Sequence, residues 1–165
     1  MTTPEDYSTV PILRPSVRVI VIDEDERTLL FASTDDAGKR FWFPPGGGTE
    51  PGETAEETAY RELREETGLS DVALAGEIGR RRLVLGWCGT TYDCRERWFL
   101  ARVTSFEIDT SGFSDFERSV VHEHRWWSLT ELEEATERLV PLRLVDLVQQ
   151  LLRDGVPPEP SELGR

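Results

Sequence analysis

Glu62, Glu65 and Glu66 stand at i, i+3 and i+4. On a helix turning about 100° per residue they share one face, within an arc of about 100°. Carboxylates this close repel one another and raise each other's pKa. A divalent cation among them removes that penalty, and hard oxygen donors select Mg²⁺ or Mn²⁺ over zinc. Three such residues alone could equally be a solvated face of an acidic protein. Their surroundings point to chemistry. A glycine-rich loop, GGGTEPG over residues 46–52, comes just before them. Without side chains, backbone there can approach a phosphate or a metal closely. Arg61 lies inside the acidic cluster, four residues after Glu57. It can pair with carboxylates and hold helix and loop in register.

The segment reads Gly47-x5-Glu53-x7-Arg61-Glu62-Leu63-x-Glu65-Glu66-x-Gly68-Leu69. It is similar to the Nudix box, G-x5-E-x7-R-E-U-x-E-E-x-G-U with U apolar, at every specified position. Seven fixed identities match by chance in about one window in 10⁸–10⁹ at average residue usage. The acidic composition raises that rate roughly a hundredfold, and the match is still not accidental. A looser resemblance spans residues 16–152, including Glu123-x-x-Trp126 and a helix after it.

The resemblance implies an α/β fold, an α/β/α sandwich with a mixed sheet. It implies hydrolysis of a nucleoside diphosphate linked to another group. By the same resemblance Glu62, Glu65 and Glu66 would ligate Mg²⁺, with the backbone carbonyl of Gly46 added. Glu53 would brace Arg61, so both are support. Bound Mg²⁺ neutralises pyrophosphate and lowers the pKa of a coordinated water. A carboxylate then takes the proton. Glu62 is ranked first for that role, and a downstream glutamate, Glu117 or Glu123, is the other candidate. A sensor that binds a nucleotide without turnover is the alternative function, but such domains usually lose box glutamates and this chain keeps them.

The elements that must position these residues follow from pattern. Residues 16–23 alternate and are β-branched, which predicts a strand. Residues 28–33 read as its return strand and 41–43 as a short aromatic one. Thr54-x-x-Glu57 is a capping box that predicts a helix to Thr67, with Gly68 as its left-handed cap. Residues 72–77, 80–87 and 92–104 read as strands, the last two a hairpin. Residues 107–117 read as an acidic loop and 120–128 as a strand with Trp126 or Trp127 facing the core. Thr130-x-x-Glu133 predicts a helix over 130–139, and 142–152 reads as another. The expected organisation is an extended segment over 1–15, one domain over 16–153, and a Pro-rich flexible tail over 154–165.

The 165 residues carry 19 basic and 32 acidic side chains, a formal charge of −13. Such a chain repels bulk nucleic acid and anionic membranes. A small nucleotide or diphosphate is therefore the expected partner. Dimers are frequent in the family, so a homodimer is compatible with the sequence. No apolar run reaches the roughly 20 residues that span a bilayer. The N-terminus lacks a signal-peptide pattern, and Cys88 and Cys94 fit no zinc or redox spacing, so a cytoplasmic protein with reduced thiols is expected. Markers that name Nudix subfamilies, such as a proline about fifteen residues after the box, are not found, which leaves the substrate open. Trp42, Trp87, Arg18, Gly47 and Gly48 are the candidates for contact with it, the tryptophans by stacking on a base.

Overall fold

The computed structural model describes residues 10–87, 90–104 and 106–164, without the side chain of Trp87. Strand β1 (Ile12–Ile22) is its spine. It starts four residues earlier than the hydrophobic alternation suggests, because residues 12–15 pair with β6 despite two exposed apolar side chains there. Alternate residues of β1 face opposite ways, as the period of two requires. Val17, Val19 and Val21 pack toward α1 (Ala55–Thr67) with Leu29, Ala59, Leu63, Phe99 and Ala101. Ile20 and Ile22 pack the other way, toward α4 (Leu144–Asp154), with Trp42, Trp98, Trp127, Leu144, Val148 and Leu151. Two apolar layers on one sheet define the α/β/α sandwich.

The sheet is mixed. Its order runs β8 (Arg138–Leu139), β3 (Arg40–Phe43), β2 (Thr28–Thr34), β1, β6 (Thr90–Arg102), β5 (Leu74–Trp87), β9 (Ser161–Glu162). Strands β1 and β6 run parallel along eleven residues. By contrast, β1 and β2 register only at Ile22 and Thr28 and then part. Beyond that point β1 pairs with β4 (Gly46–Gly48), and β7 (Glu123–Trp127) covers the other side of β2. A cleft opens where β1 and β2 separate, and the glycine segment lies at its edge. Part of the expected glycine loop is thus a strand.

Several elements depart from the sequence reading. Residues 72–77 and 80–87 join into one bulged strand, β5, in which the register slips at Leu74/Gly76 and Glu77/Gly79. The loop over 107–117 leads into α2 (Asp115–Val120), with Ser114 and Glu117 forming its capping box. The next helix, α3 (Leu129–Glu133), is capped by Ser128 and Glu131, two residues before the expected cap, and ends before β8. The tail expected to be flexible is paired instead: Ser161 and Glu162 run parallel to β5, and Leu163 is buried in the α4-side core. Gly79 has no Cβ where the Leu163 side chain sits. Cys94 is a free, buried thiol, and Cys88 lies outside the described residues. No helix among the described residues is long and apolar enough to cross a membrane.

Candidate active site

Helix α1 is the platform. The Thr54 hydroxyl accepts from the Glu57 backbone N–H and the Glu57 carboxylate accepts from the Thr54 N–H, so the first turn is fixed. Gly68 closes the helix at φ 76°, a conformation that favours glycine. Between these caps the helix turns Glu62 and Glu66 inward and Glu65 toward its edge.

Arg61 holds the platform to the glycine strand. It donates through Nε and Nη2 to the two oxygens of Glu53, at 2.6 and 3.0 Å. It also donates to the Gly48 carbonyl at 2.9 Å, to Glu62 at 2.9 Å and to Glu65 at 3.2 Å. The hydrogen bond from Arg61 is the main reason the Glu53 carboxyl is held down to about 2. Glu53 also accepts from the Glu50 N–H and the Thr58 hydroxyl. The two residues expected as support therefore occupy a bracing position.

Glu62 and Glu66 are buried, and burial is the first cause raising both carboxyls, Glu66 well above its ordinary value. Glu66 accepts from the Gly46 backbone N–H at 2.9 Å. A Cβ on Gly47 would collide with the Glu62 carboxylate, so the absence of a side chain there makes room for it. Gly46 has φ 151° and its missing Cβ faces the Val17 carbonyl. The fixed positions of the glycine segment thus follow from close approach, on one side to β1 and on the other to α1.

A third carboxylate completes the group. Oxygen atoms of Glu62, Glu66 and Glu117 lie within 4.8 Å of one another. Glu117 arrives on α2, and the segment before α2 lies against α1. A Cβ on Gly112 would meet the Glu65 carbonyl at 2.5 Å, and the Asp109 N–H donates to the Thr67 carbonyl at 3.0 Å. Glu123, the other downstream candidate, is not brought in. It is on β7, exposed, and ion-paired with Arg40. Glu65 is partly exposed beside Arg61 and stands outside the close group. The signal that could have separated Glu117 from Glu123 was the Ser114-x-x-Glu117 capping pattern, which places Glu117 on a short helix.

The expected substrate contacts divide. Arg18 lines the cleft, with Nη1 3.4 Å from both the Pro44 and the Gly46 carbonyls. Gly47 and Gly48 are tied to Glu62 and Arg61 as described. Trp42 is not a stacking surface. Its side chain is buried, packed edge-on against Trp127 at 5.0 Å, with its indole N–H donating to Glu137. Alternation on β3 sends Trp42 into the core and Phe41 and Phe43 to the cleft, so the aromatic candidates should have been its neighbours. Trp87 as a stacking residue lies outside the described side chains.

A largely buried group of carboxylates, braced by an arginine, is an arrangement compatible with a divalent metal. The NUDIX domain family model matches residues 12–148, and the chain belongs to that family. It is a pyrophosphohydrolase, cleaving the pyrophosphate bond of nucleoside diphosphate derivatives. An RNA pyrophosphohydrolase of Pelagibacter ubique is 28% identical over 141 residues, covering 80% of this chain and 85% of the relative. Another from Sphingopyxis alaskensis is 31% identical over 149 residues, covering 84% and 89%. The crystal structure of a MutT protein from Methanosarcina mazei shares the fold at a TM-score of 0.64 and 21% identity, covering 89% of this chain and 98% of that one.

Proposed function

We propose that this hydrolase works with Mg²⁺, or Mn²⁺ in its place, held by Glu62, Glu65, Glu66 and the Gly46 carbonyl, and that Glu117 is the proton acceptor. The observation that carries the reading is the convergence of Glu62, Glu66 and Glu117 within 4.8 Å, two of them buried. Buried carboxylates with raised pKa values fit a site completed by a hard divalent cation. Such a cation would neutralise the pyrophosphate oxygens and make a bound water more acidic. Glu117 is the member of the group that is not on α1 and is less buried, so it can take a proton from the attacking water at a carboxylate oxygen. Arg61 and Glu53 keep the α1 carboxylates aimed, and Arg18 beside the Gly46 carbonyl is placed to meet a phosphate.

The substrate class is a nucleotide or nucleotide derivative. A second reading, the 5′-phosphorylated end of an RNA, is supported by the RNA pyrophosphohydrolases among the relatives, which cover most of the chain. The test is turnover of a panel: nucleoside triphosphates, nucleoside diphosphate sugars, dinucleoside polyphosphates and a 5′-triphosphorylated RNA oligomer. Each is run with Mg²⁺, with a chelator, and with Glu66→Gln. Turnover that vanishes in the chelator and in the variant is expected. Turnover that survives both would overturn the metal assignment. Tight binding without turnover would identify a sensor.

A further inference from the structure

The cleft holds a charged pair that the hydrolytic chemistry does not use. Glu96 is buried on β6 and Arg81 faces it from β5 in direct register. Both line the cleft of about 180 Å³ together with Arg18, Phe41, Phe43 and Trp98. One oxygen of Glu96 is occupied: Oε2 accepts from the Trp98 indole N–H at 3.0 Å and from Arg81 Nη1 at 3.4 Å. Among the described residues the other, Oε1, has only Arg18 Nε at 3.8 Å, beyond hydrogen-bond reach. A carboxylate oxygen that lines an open cleft and takes no hydrogen bond from the protein is free to accept one from a ligand there. The opposite wall is aromatic. Phe41 and Phe43 are half-buried with ring centroids 5.6 Å apart, and Arg18 lies over the Phe43 ring at 5.6 Å.

We infer that Glu96, through the Oε1 that takes no hydrogen bond in the Phe41/Phe43 cleft, is the specificity-determining residue of this hydrolase and selects guanine as the substrate's base. This rests on the reading of the cleft as the substrate cleft. An ionised carboxylate only accepts hydrogen bonds, so the base must present N–H groups to it. Guanine presents two side by side, N1–H and the 2-amino group. Its adjacent O6 then finds a guanidinium donor in Arg81, which flanks Glu96. Adenine presents a lone pair at N1, which faces the carboxylate lone pairs and is repelled. The aromatic wall supplies stacking that any base can use, so discrimination falls to Glu96.

The substitution Glu96→Gln preserves size and inverts the signal. Trp98 and Arg81 both donate to the Oε2 position, so the amide oxygen must sit there. The amide NH₂ then points where Oε1 was, a donor in place of an acceptor. Binding of GMP and AMP is measured by calorimetry, which needs no turnover. Wild type is expected to bind GMP roughly 10- to 100-fold tighter than AMP, the worth of a hydrogen bond to a charged acceptor. Glu96→Gln is expected to abolish that ratio, with GMP losing affinity and AMP gaining it, because the adenine N1 can accept from the new amide N–H. Equal affinities in wild type, or no measurable binding of GMP, would overturn the inference without any variant. An equal loss for both nucleotides in Glu96→Gln would make the residue structural and overturn it too. Preference for GMP in a protein that hydrolyses no pyrophosphate would uphold Glu96 and reject the hydrolase reading instead.

Discussion

At the residue scale, Glu117 and Glu123 are both glutamates downstream of the box, and only one touches the carboxylate group. We expect Glu117→Gln to lower kcat by about 10²–10⁴, the usual worth of a positioned general base, with KM little changed. Glu123→Gln removes an exposed ion pair with Arg40 and should leave kcat within about twofold. Steady-state kinetics on both variants would decide the assignment, and the reverse pattern would refute it. Gly47 makes a second expectation. In Gly47→Ala the new methyl collides with the Glu62 carboxylate. Activity should fall much more than thermal stability does, because the displaced group belongs to the site and not to the core. A Tm loss without an activity loss would show that Glu62 can relax away at no cost to catalysis.

At the scale of elements, α1 was legible because its signals are local. A capping box, a left-handed glycine and the box residues all lie within the 23 positions from Gly47 to Leu69. The site's third carboxylate was legible only as one of two candidates, Glu117 or Glu123, because its arrival depends on how residues 106–114 lie over α1. That contact has no periodicity to reveal it; Gly112 against the Glu65 carbonyl is visible only once the chain is folded. Trp42 was misread for a different reason. On a four-residue strand of three aromatics, alternation says that faces differ but not which face is the core. The tail was misread from composition, since prolines and charges suggested a solvated segment while one buried leucine decided the outcome. Leu163 fills the space beside Gly79, so Leu163→Ala should cost about 2–5 kcal/mol. For a chain of this size, that shifts Tm down by roughly 2–4 °C per kcal/mol. Deletion of residues 155–165, which also removes β9, should lower Tm at least as far. A melting curve unchanged by the deletion would show that the tail only rests on the sheet.

For the whole molecule, pH and metal should be coupled through the buried carboxylates. Burial raises Glu66 and Glu62 above their ordinary value of 4.5 in the folded, metal-free chain. Unfolded, each loses its proton near that ordinary value. Between the two values the folded protein holds protons that the unfolded chain has released, so metal-free stability falls as pH rises through that window. Glu53 acts in the opposite sense. With its carboxyl at about 2, it contributes stability that is present above 4.5 and lost as pH falls toward 2. The protein should therefore be weakened at strong acid by losing the Glu53–Arg61 brace, and toward neutral pH by ionising its own site. Mg²⁺ reverses the second effect, because binding requires the carboxylates to be deprotonated and stabilises only the folded chain. Melting temperatures taken from about pH 5 to pH 8, with a chelator and with excess Mg²⁺, should diverge as pH rises. In Glu66→Gln the group with the largest upward shift cannot ionise, so the chelated protein should lose most of its downward slope and the two curves should stay close. A gap of constant width in the wild type would mean that the buried carboxylates do not titrate with folding. The weakening toward neutral pH would then have to come from the −13 charge of the chain as a whole.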